Sequence, residues 1–304
     1  MERRRKKRNY APCPIPNSQF PMMIQVKPGY RPQASDNSIE ADIYLFDKLR
    51  QLSLKQRLEQ AAMLDRTVKK LSLIGIKSRL KKAAITEIRE HFCRAVLAEK
   101  FFPDFQPIGT DEIMWIQDSI ALAQQLHTLL ESINIPYYVG GGVASSIHGE
   151  ARSTRDLDLA IQIPRQEIDG LVKILENAGF YCPAGAVEEL KQSRSQLLNI
   201  THTETIANAD IYIADNTPFA LSQMSRRQLI EMEGTANFWV ASPEDTIVQK
   251  LFWAKNSQSE KQWRDVLGIL KLQGANLDRD YLQEWAHRLG VVDALTQAMT
   301  EAGI

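Results

Sequence analysis

Residues 138–161 read Tyr138-Val-Gly-Gly-Gly-Val-Ala-Ser-Ser-Ile-His-Gly-Glu-Ala-Arg-Ser-Thr-Arg-Asp-Leu-Asp-Leu-Ala-Ile161. The apolar run at 135–139 predicts a short buried strand, with Pro136 near its start. It ends in three glycines, Gly140, Gly141 and Gly142. A short helix follows over about 143–148, then a turn at Gly149. The run 157–163 predicts a second strand, opening on Asp156-Leu-Asp158. On a strand, side chains two apart leave the same face. Asp156 and Asp158 therefore project together, while Leu157 and Leu159 face the core.

Two adjacent carboxylates repel, and unpaired they cost stability. A divalent cation between them removes that cost. Oxygen-only ligation suits Mg²⁺, which keeps waters and phosphate oxygens in its shell. Gly140–Gly142 let the backbone approach a phosphate closely. The N–H groups that open the following helix point toward anions. A triphosphate cradle beside a metal site is the inventory for nucleotidyl transfer, in which two metal ions would serve the attacking and leaving oxygens.

The residues Gly141, Gly142, Ala144, His148, Gly149, Arg152, Thr154, Asp156 and Asp158 form a combined motif. It resembles that of the DNA-polymerase-beta-type nucleotidyltransferases. More narrowly, it resembles the bacterial abortive-infection type IV toxins and their relatives. The resemblance covers about residues 110–275, with specific motifs only within 139–161. Many relatives carry Ser where this chain has Gly142. The resemblance implies Mg²⁺, two ions, and a nucleoside triphosphate, ATP among them, as donor. It also implies a third carboxylate on a neighbouring strand, as metal ligand or general base. Asp210, in Ala209-Asp-Ile-Tyr-Ile, is the best match, with Asp215 and Glu204 as rivals. The expected metal ligands and catalytic groups are thus Asp156, Asp158 and Asp210. The expected nucleotide contacts are Gly141, Gly142, Arg152, Thr154 and Lys250, the lysine reaching the triphosphate.

The same positions have plainer readings. Arg152 and Arg155 either hold phosphate, base and ribose or pair with Asp156 and Glu150. A lone His148 is more often packed than catalytic. Lys250 could be a solvated helix lysine. Asp265, in Trp263-Arg-Asp-Val, reads first as structural.

Outward from this stretch, the pattern predicts an α+β protein: a mixed sheet of the nucleotidyltransferase fold with flanking helices, an N-terminal helical module and a helical C-terminal part. Residues 1–38 are rich in Pro, Asn, Ser and charge and read as a disordered or extended basic tail. Residues 39–105 carry apolar side chains at helical spacing, with Ser53 as a helix N-cap. This module holds no chemical motif and is expected to supply no catalytic group. Residues 102–109 form a linker, and one long helix is expected over 111–132. The core spans 110–241, with a helix over 167–178 and further strands over 197–203, 210–213 and 238–240. Residues 242–304 read as helices at about 243–255, 259–272, 278–288 and 291–301, the first with Pro243 at N1.

Lys and Arg together number 37, as do Asp and Glu, so a globally basic nucleic-acid surface is not implied. Cys13, Cys93 and Cys182 show no metal-ligand spacing and read as free thiols. The basic start has no apolar run behind it, and no stretch reaches membrane-spanning length, which points to the cytoplasm and no membrane. The functional expectation is transfer of a nucleoside monophosphate to an RNA, protein or small-molecule hydroxyl, in a toxin–antitoxin or phage-defence setting. A homo-oligomer or an antitoxin partner fits that setting. The rival reading is a catalytically inactive nucleotide-binding or antitoxin-like interaction protein. A helical adaptor role for the N-terminal module is a third. The presence of both aspartates of the pair, with a third available, favours the enzyme.

Overall fold

The computed structural model describes residues 27–231, 237–257 and 259–304. The basic tip at 3–8, Cys13 and the rest of 1–26 lie outside them. Ser38 accepts the Ala41 N–H and starts α1 (Ile39–Gln51). Ser53 and Gln56 form a capping box at the head of α2 (Leu54–Arg79). Next come α3 (Ile85–Leu97) and a 3₁₀ turn, Ala98–Lys100. The single helix expected over 111–132 is two, α4 (Glu112–Trp115) and α5 (Ser119–Ser132). Asp118 breaks it by accepting the Ile120 and Ala121 N–H groups as a new N-cap.

The core then runs β1 (Tyr137–Val139), α6 (Gly141–His148), β2 (Leu157–Ile161), α7 (Ile168–Asn177), β3 (Phe180–Tyr181), α8 (Ala184–Lys191), β4 (Leu197–His202), β5 (Asn208–Ile213), α9 (Pro218–Arg226), β6 (Gln228–Ile230) and β7 (Phe238–Val240). Four helices follow: α10 (Pro243–Ser257), α11 (Glu260–Gln273), α12 (Arg279–Leu289) and α13 (Val292–Ala302). Three of these elements, α8, α9 and β6, are absent from the sequence reading. The chain is α+β. Among the described residues one mixed sheet has the strand order β3-β4-β5-β2-β1-β7-β6. β2 pairs antiparallel with β1 and parallel with β5. A helix begins at Gly141 rather than Val143 and carries the chain from β1 back to β2.

The sheet packs its apolar face into a core that includes Leu58 and Ala62 of α2. A second cluster joins α2 and α3 to Phe105, Trp115 and Ile206. The N-terminal helices therefore bury their stripes against the sheet domain as well as each other. Of the stretch read as a disordered or extended basic tail, residues 27–38 lie among the described residues. They form an arm pinned to the C-terminal helices: Arg31 N–H donates to the Glu301 carbonyl at 2.9 Å, and the Lys271 ammonium donates to the Arg31 carbonyl and to Asp42. The Lys271–Asp42 pair is fully buried. No helix among the described residues is long and apolar enough to cross a membrane.

Candidate active site

The site forms where the glycine turn meets the start of β2. Leu157 and Leu159 are fully buried on one face, and Asp158 lies between them on the other. Parallel pairing with β5 sets Asp158 directly opposite Asp210. Asp156 immediately precedes the strand. The structure thus brings the three aspartates together on one sheet face.

The turn fits tightly over them. Gly140 N–H donates to the Asp158 carbonyl at 2.9 Å. Gly141 has φ +54°, and a Cβ there would sit 1.8 Å from Asp158 Oδ2. Only glycine fits that position. Gly142 N–H reaches toward Asp158 Oδ2 at 3.4 Å. A Cβ on Gly142 would meet Thr154 Oγ1 at 2.6 Å and the Arg152 guanidinium at 3.1 Å. Burial, then the charges of Asp156 and Asp210, push the Asp158 carboxyl up to about 6. The Gly142 N–H and Lys100 oppose that rise.

Lys100, from the 3₁₀ turn after α3, enters this cluster. Its ammonium donates to Asp156 Oδ2 and, at 2.6 Å, to Asp210 Oδ2. Burial works to lower its pKa, but the bonds to Asp156 and Asp210 prevail and hold it above the usual lysine value. The N-terminal module, expected to supply no catalytic group, thus places one side chain against Asp156 and Asp210. Asn199 on β4, the register partner of Asp210, donates its amide to Asp210 Oδ1 at 2.7 Å. Asn199 and Asn208 also bond each other's side chains, which fixes both amides. A second module residue, Asp65 of α2, accepts the Thr154 backbone N–H at 2.7 Å and the Ser119 hydroxyl at 2.6 Å. It anchors the loop that delivers Asp156.

The basic residues form a separate frame. Arg152 grips Asp265 with two bonds of 2.7 Å. Lys250 meets the same carboxylate at 2.8 Å, donates to Gln262 at 2.9 Å and is almost wholly buried. Burial would raise the Asp265 carboxyl, but Arg152 and Lys250 hold it below the ordinary value. Burial lowers Lys250, while Asp265 and, more weakly, Asp158 counteract it. Lys250 is a buried, paired lysine, not a solvated one. The Thr154 hydroxyl donates to the Asp156 carbonyl at 3.2 Å, within its own loop.

The rival carboxylates take no part in the Lys100 ion pairs, although Asp215 lines the same cleft as Asp158. Asp215 accepts the Thr217 N–H and hydroxyl at the head of α9, and Glu204 lies on the turn between β4 and β5. Arg155 is exposed near Glu99. His148 is buried, its Nε2 lies 2.7 Å from the Ala241 carbonyl, and burial lowers its pKa to about 4. It packs α6 and offers no group to the cleft. Sequence reasoning missed Lys100, Asn199 and Asp65. The one local signal was polar alternation: Asn208 and Asp210 are two apart on β5.

Among the described residues, no three His, Cys, Asp or Glu side chains form a ready metal-ligand group. Asp156 and Asp210 instead converge on Lys100. The donor chemistry still fits a divalent cation: three clustered carboxylates face one ammonium. Beside Gly140, Gly141 and Asp158 opens a cleft of about 650 Å³. Tyr212, Phe252, Trp253 and Trp285 line it.

A family model described as nucleotidyl transferase AbiEii toxin, type IV TA system, matches residues 129–302. No curated protein matches. Among solved structures, an antigenic nucleotidyltransferase-like protein from Paracoccidioides brasiliensis is 19% identical, with a TM-score of 0.43 over 60% of this chain and 93% of that one. The antibiotic-resistance factor ANT(2'')-Ia is 14% identical, with a TM-score of 0.40 over 59% and 94%. The lincosamide antibiotic adenylyltransferase LnuA is 14% identical, with a TM-score of 0.36 over 49% and 94%.

Proposed function

This chain belongs to the AbiEii nucleotidyl transferase toxin family of type IV toxin–antitoxin systems, and from that premise we propose a metal-dependent transfer of a nucleoside monophosphate from a nucleoside triphosphate to a hydroxyl group. The observation that carries the reading is the register pairing of Asp158 with Asp210 beneath the Gly141–Gly142 turn. The acceptor classes are RNA, protein and small-molecule hydroxyls. An antitoxin is the partner that a type IV system implies.

Asp156, Asp158 and Asp210 would hold Mg²⁺, which when bound neutralises charge on the phosphates and on the attacking oxygen. The chain's own residues do the rest. The glycine turn brings backbone N–H groups against the triphosphate. Arg152 and Lys250 flank that turn and supply fixed positive charge. Asp265 keeps both oriented. Asp210 takes the proton of the acceptor hydroxyl, with Asn199 fixing one of its oxygens. The acceptor oxygen bonds to the α-phosphorus, the α–β anhydride bond breaks, and pyrophosphate leaves with the electron pair. The test is incubation with each α-labelled nucleoside triphosphate, Mg²⁺ and cell extract. Label should pass to an extract component with the native chain and not with Asp158→Asn. Equal labelling by both would dismiss these carboxylates. No labelling with any nucleotide would return the inactive, nucleotide-binding alternative.

A further inference from the structure

Lys100 is the one residue at the carboxylate cluster that the proposed reaction leaves without a part. Its ammonium bonds Asp156 and Asp210 at once, and its side chain is only 19% exposed. Its backbone is firmly seated. The 3₁₀ turn follows α3, whose Phe92, Val96 and Leu97 pack in one cluster with Trp115 and Ile206. Ile206 lies on the turn that leads into β5, the strand carrying Asp210. Asp65 fastens α2, the neighbour of α3, to the loop that carries Asp156. The lysine therefore approaches from a buttress tied to both of its partners.

We infer that Lys100 is a resident cation of the site, taking the place of one of the two divalent ions, so that a single divalent cation completes it. This rests on the carboxylate reading proposed above. The charge balance supports it. Three carboxylates and one ammonium leave two negative charges, which one divalent ion matches. In the nucleotide-free protein, two divalent ions beside the ammonium would leave two positive charges in a half-buried cluster, where like charges repel strongly. Asp158 marks the position left over: among the described residues no lysine or arginine pairs with it. The N-terminal helices are then part of the catalytic centre. Without this lysine, one divalent ion would leave one negative charge uncompensated, which admits a second ion.

The experiment titrates Mn²⁺ alone into the full chain and follows free Mn²⁺ by electron paramagnetic resonance. The native chain should bind one equivalent. Lys100→Met and Lys100→Gln should each bind two, and Lys100→Arg should stay at one. Circular dichroism selects whichever of the two neutral variants is folded. Two equivalents in the native chain, or no gain in the folded neutral variant, would overturn the inference. Asp158→Asn separates the two ideas. If it loses Mn²⁺ while the neutral Lys100 variants gain none, only the role of Lys100 fails. If it binds as the native chain does, the carboxylate reading itself fails.

Discussion

Asp158 and Asp210 are register partners on the adjacent parallel strands β2 and β5, so two carboxylates leave one face of the sheet side by side. Removing one charge should therefore separate stability from activity. Asp158→Asn should abolish nucleotidyl transfer. In chelator it should also stabilise the fold at pH 8 by about 1–3 kcal/mol. The native carboxyl sits near 6, above its unfolded value of 3.8. The folded state thus holds its proton more tightly, and its stability falls as pH rises through that window. Asn does not titrate, so the gain should vanish below about pH 4. Melting curves at several pH values check this, and a variant that melts lower at pH 8 contradicts it.

Gly141→Ala should be worse than an ordinary glycine substitution. The added Cβ would overlap the Asp158 carboxylate, and φ is +54°. The two penalties together come to about 2–4 kcal/mol. Displacing the carboxylate by an ångström should lower activity about 100-fold. Chemical denaturation and a transfer assay on the same preparation measure both.

Asp265 serves two cations, so its loss should exceed the loss of either one. Asp265→Asn strands buried Arg152 and Lys250, at a cost of about 3–5 kcal/mol. Lys250→Met leaves Asp265 with Arg152 and should cost less. The same variant should bind nucleoside triphosphate several-fold more weakly while keeping its Mn²⁺ affinity. Calorimetry with nucleotide and urea unfolding test the pair. Equal nucleotide affinity in Lys250→Met would remove the lysine from the binding site.

His148 should make the fold sensitive to acid. Its pKa is lowered to about 4 by burial, against an ordinary imidazole value of 6.5. The unfolded chain binds that proton more readily, so stability is lost as pH falls from 6.5 through 4. His148→Gln should flatten part of that slope and leave stability above pH 7 less dependent on pH. Denaturant midpoints between pH 4 and 7 decide this. An unchanged slope in the variant would mean the imidazole is not the group responsible.

A chain beginning at Pro107 should fail to fold as a soluble monomer. It would lose Leu58 and Ala62 from the main core and uncover Trp115 and Ile206. It would also lose Lys100 and Asp65, which hold the site. Near-ultraviolet circular dichroism and gel filtration check the outcome. A soluble, folded and fully active fragment would show that the helices are dispensable.

What could be read in the sequence follows the range of the interactions. The pairing of Asp156 with Asp158 is a two-residue period, and the glycine turn lies next to it in the chain. Both were visible locally. Asp210 needed the family resemblance to be singled out, because strand register is set by the whole sheet. Lys100 lies 56 residues from Asp156 and 110 from Asp210. At the end of an amphipathic helix it looks like any solvent-facing lysine. Asp65, 89 residues from Thr154, is hidden by the same distance, while Asn199 is hidden because its pairing with Asp210 depends on strand register. The break at Asp118 escaped notice because 111–132 keeps apolar residues at helical spacing across the cap. The short α8, α9 and β6 offer too few periodic positions to register, although Thr217-Pro218 is a helix-start signal.

The shared counter-ion at Asp265 also sets the order in which the charges beside the glycine turn find their partners during synthesis. A ribosome releases the glycine turn, Asp156, Asp158 and Arg152 well before Asp265. Arg152 then waits 113 residues for its carboxylate, and Asp42 waits 229 for Lys271. Until those partners emerge, the cations beside the turn have no fixed orientation, and the buried pairs that lock the arm to the C-terminal helices do not exist. Nascent and prematurely terminated copies carry the acidic residues without the frame that aligns them. Translation order alone therefore leaves Arg152 without its counter-ion until Asp265 has been made.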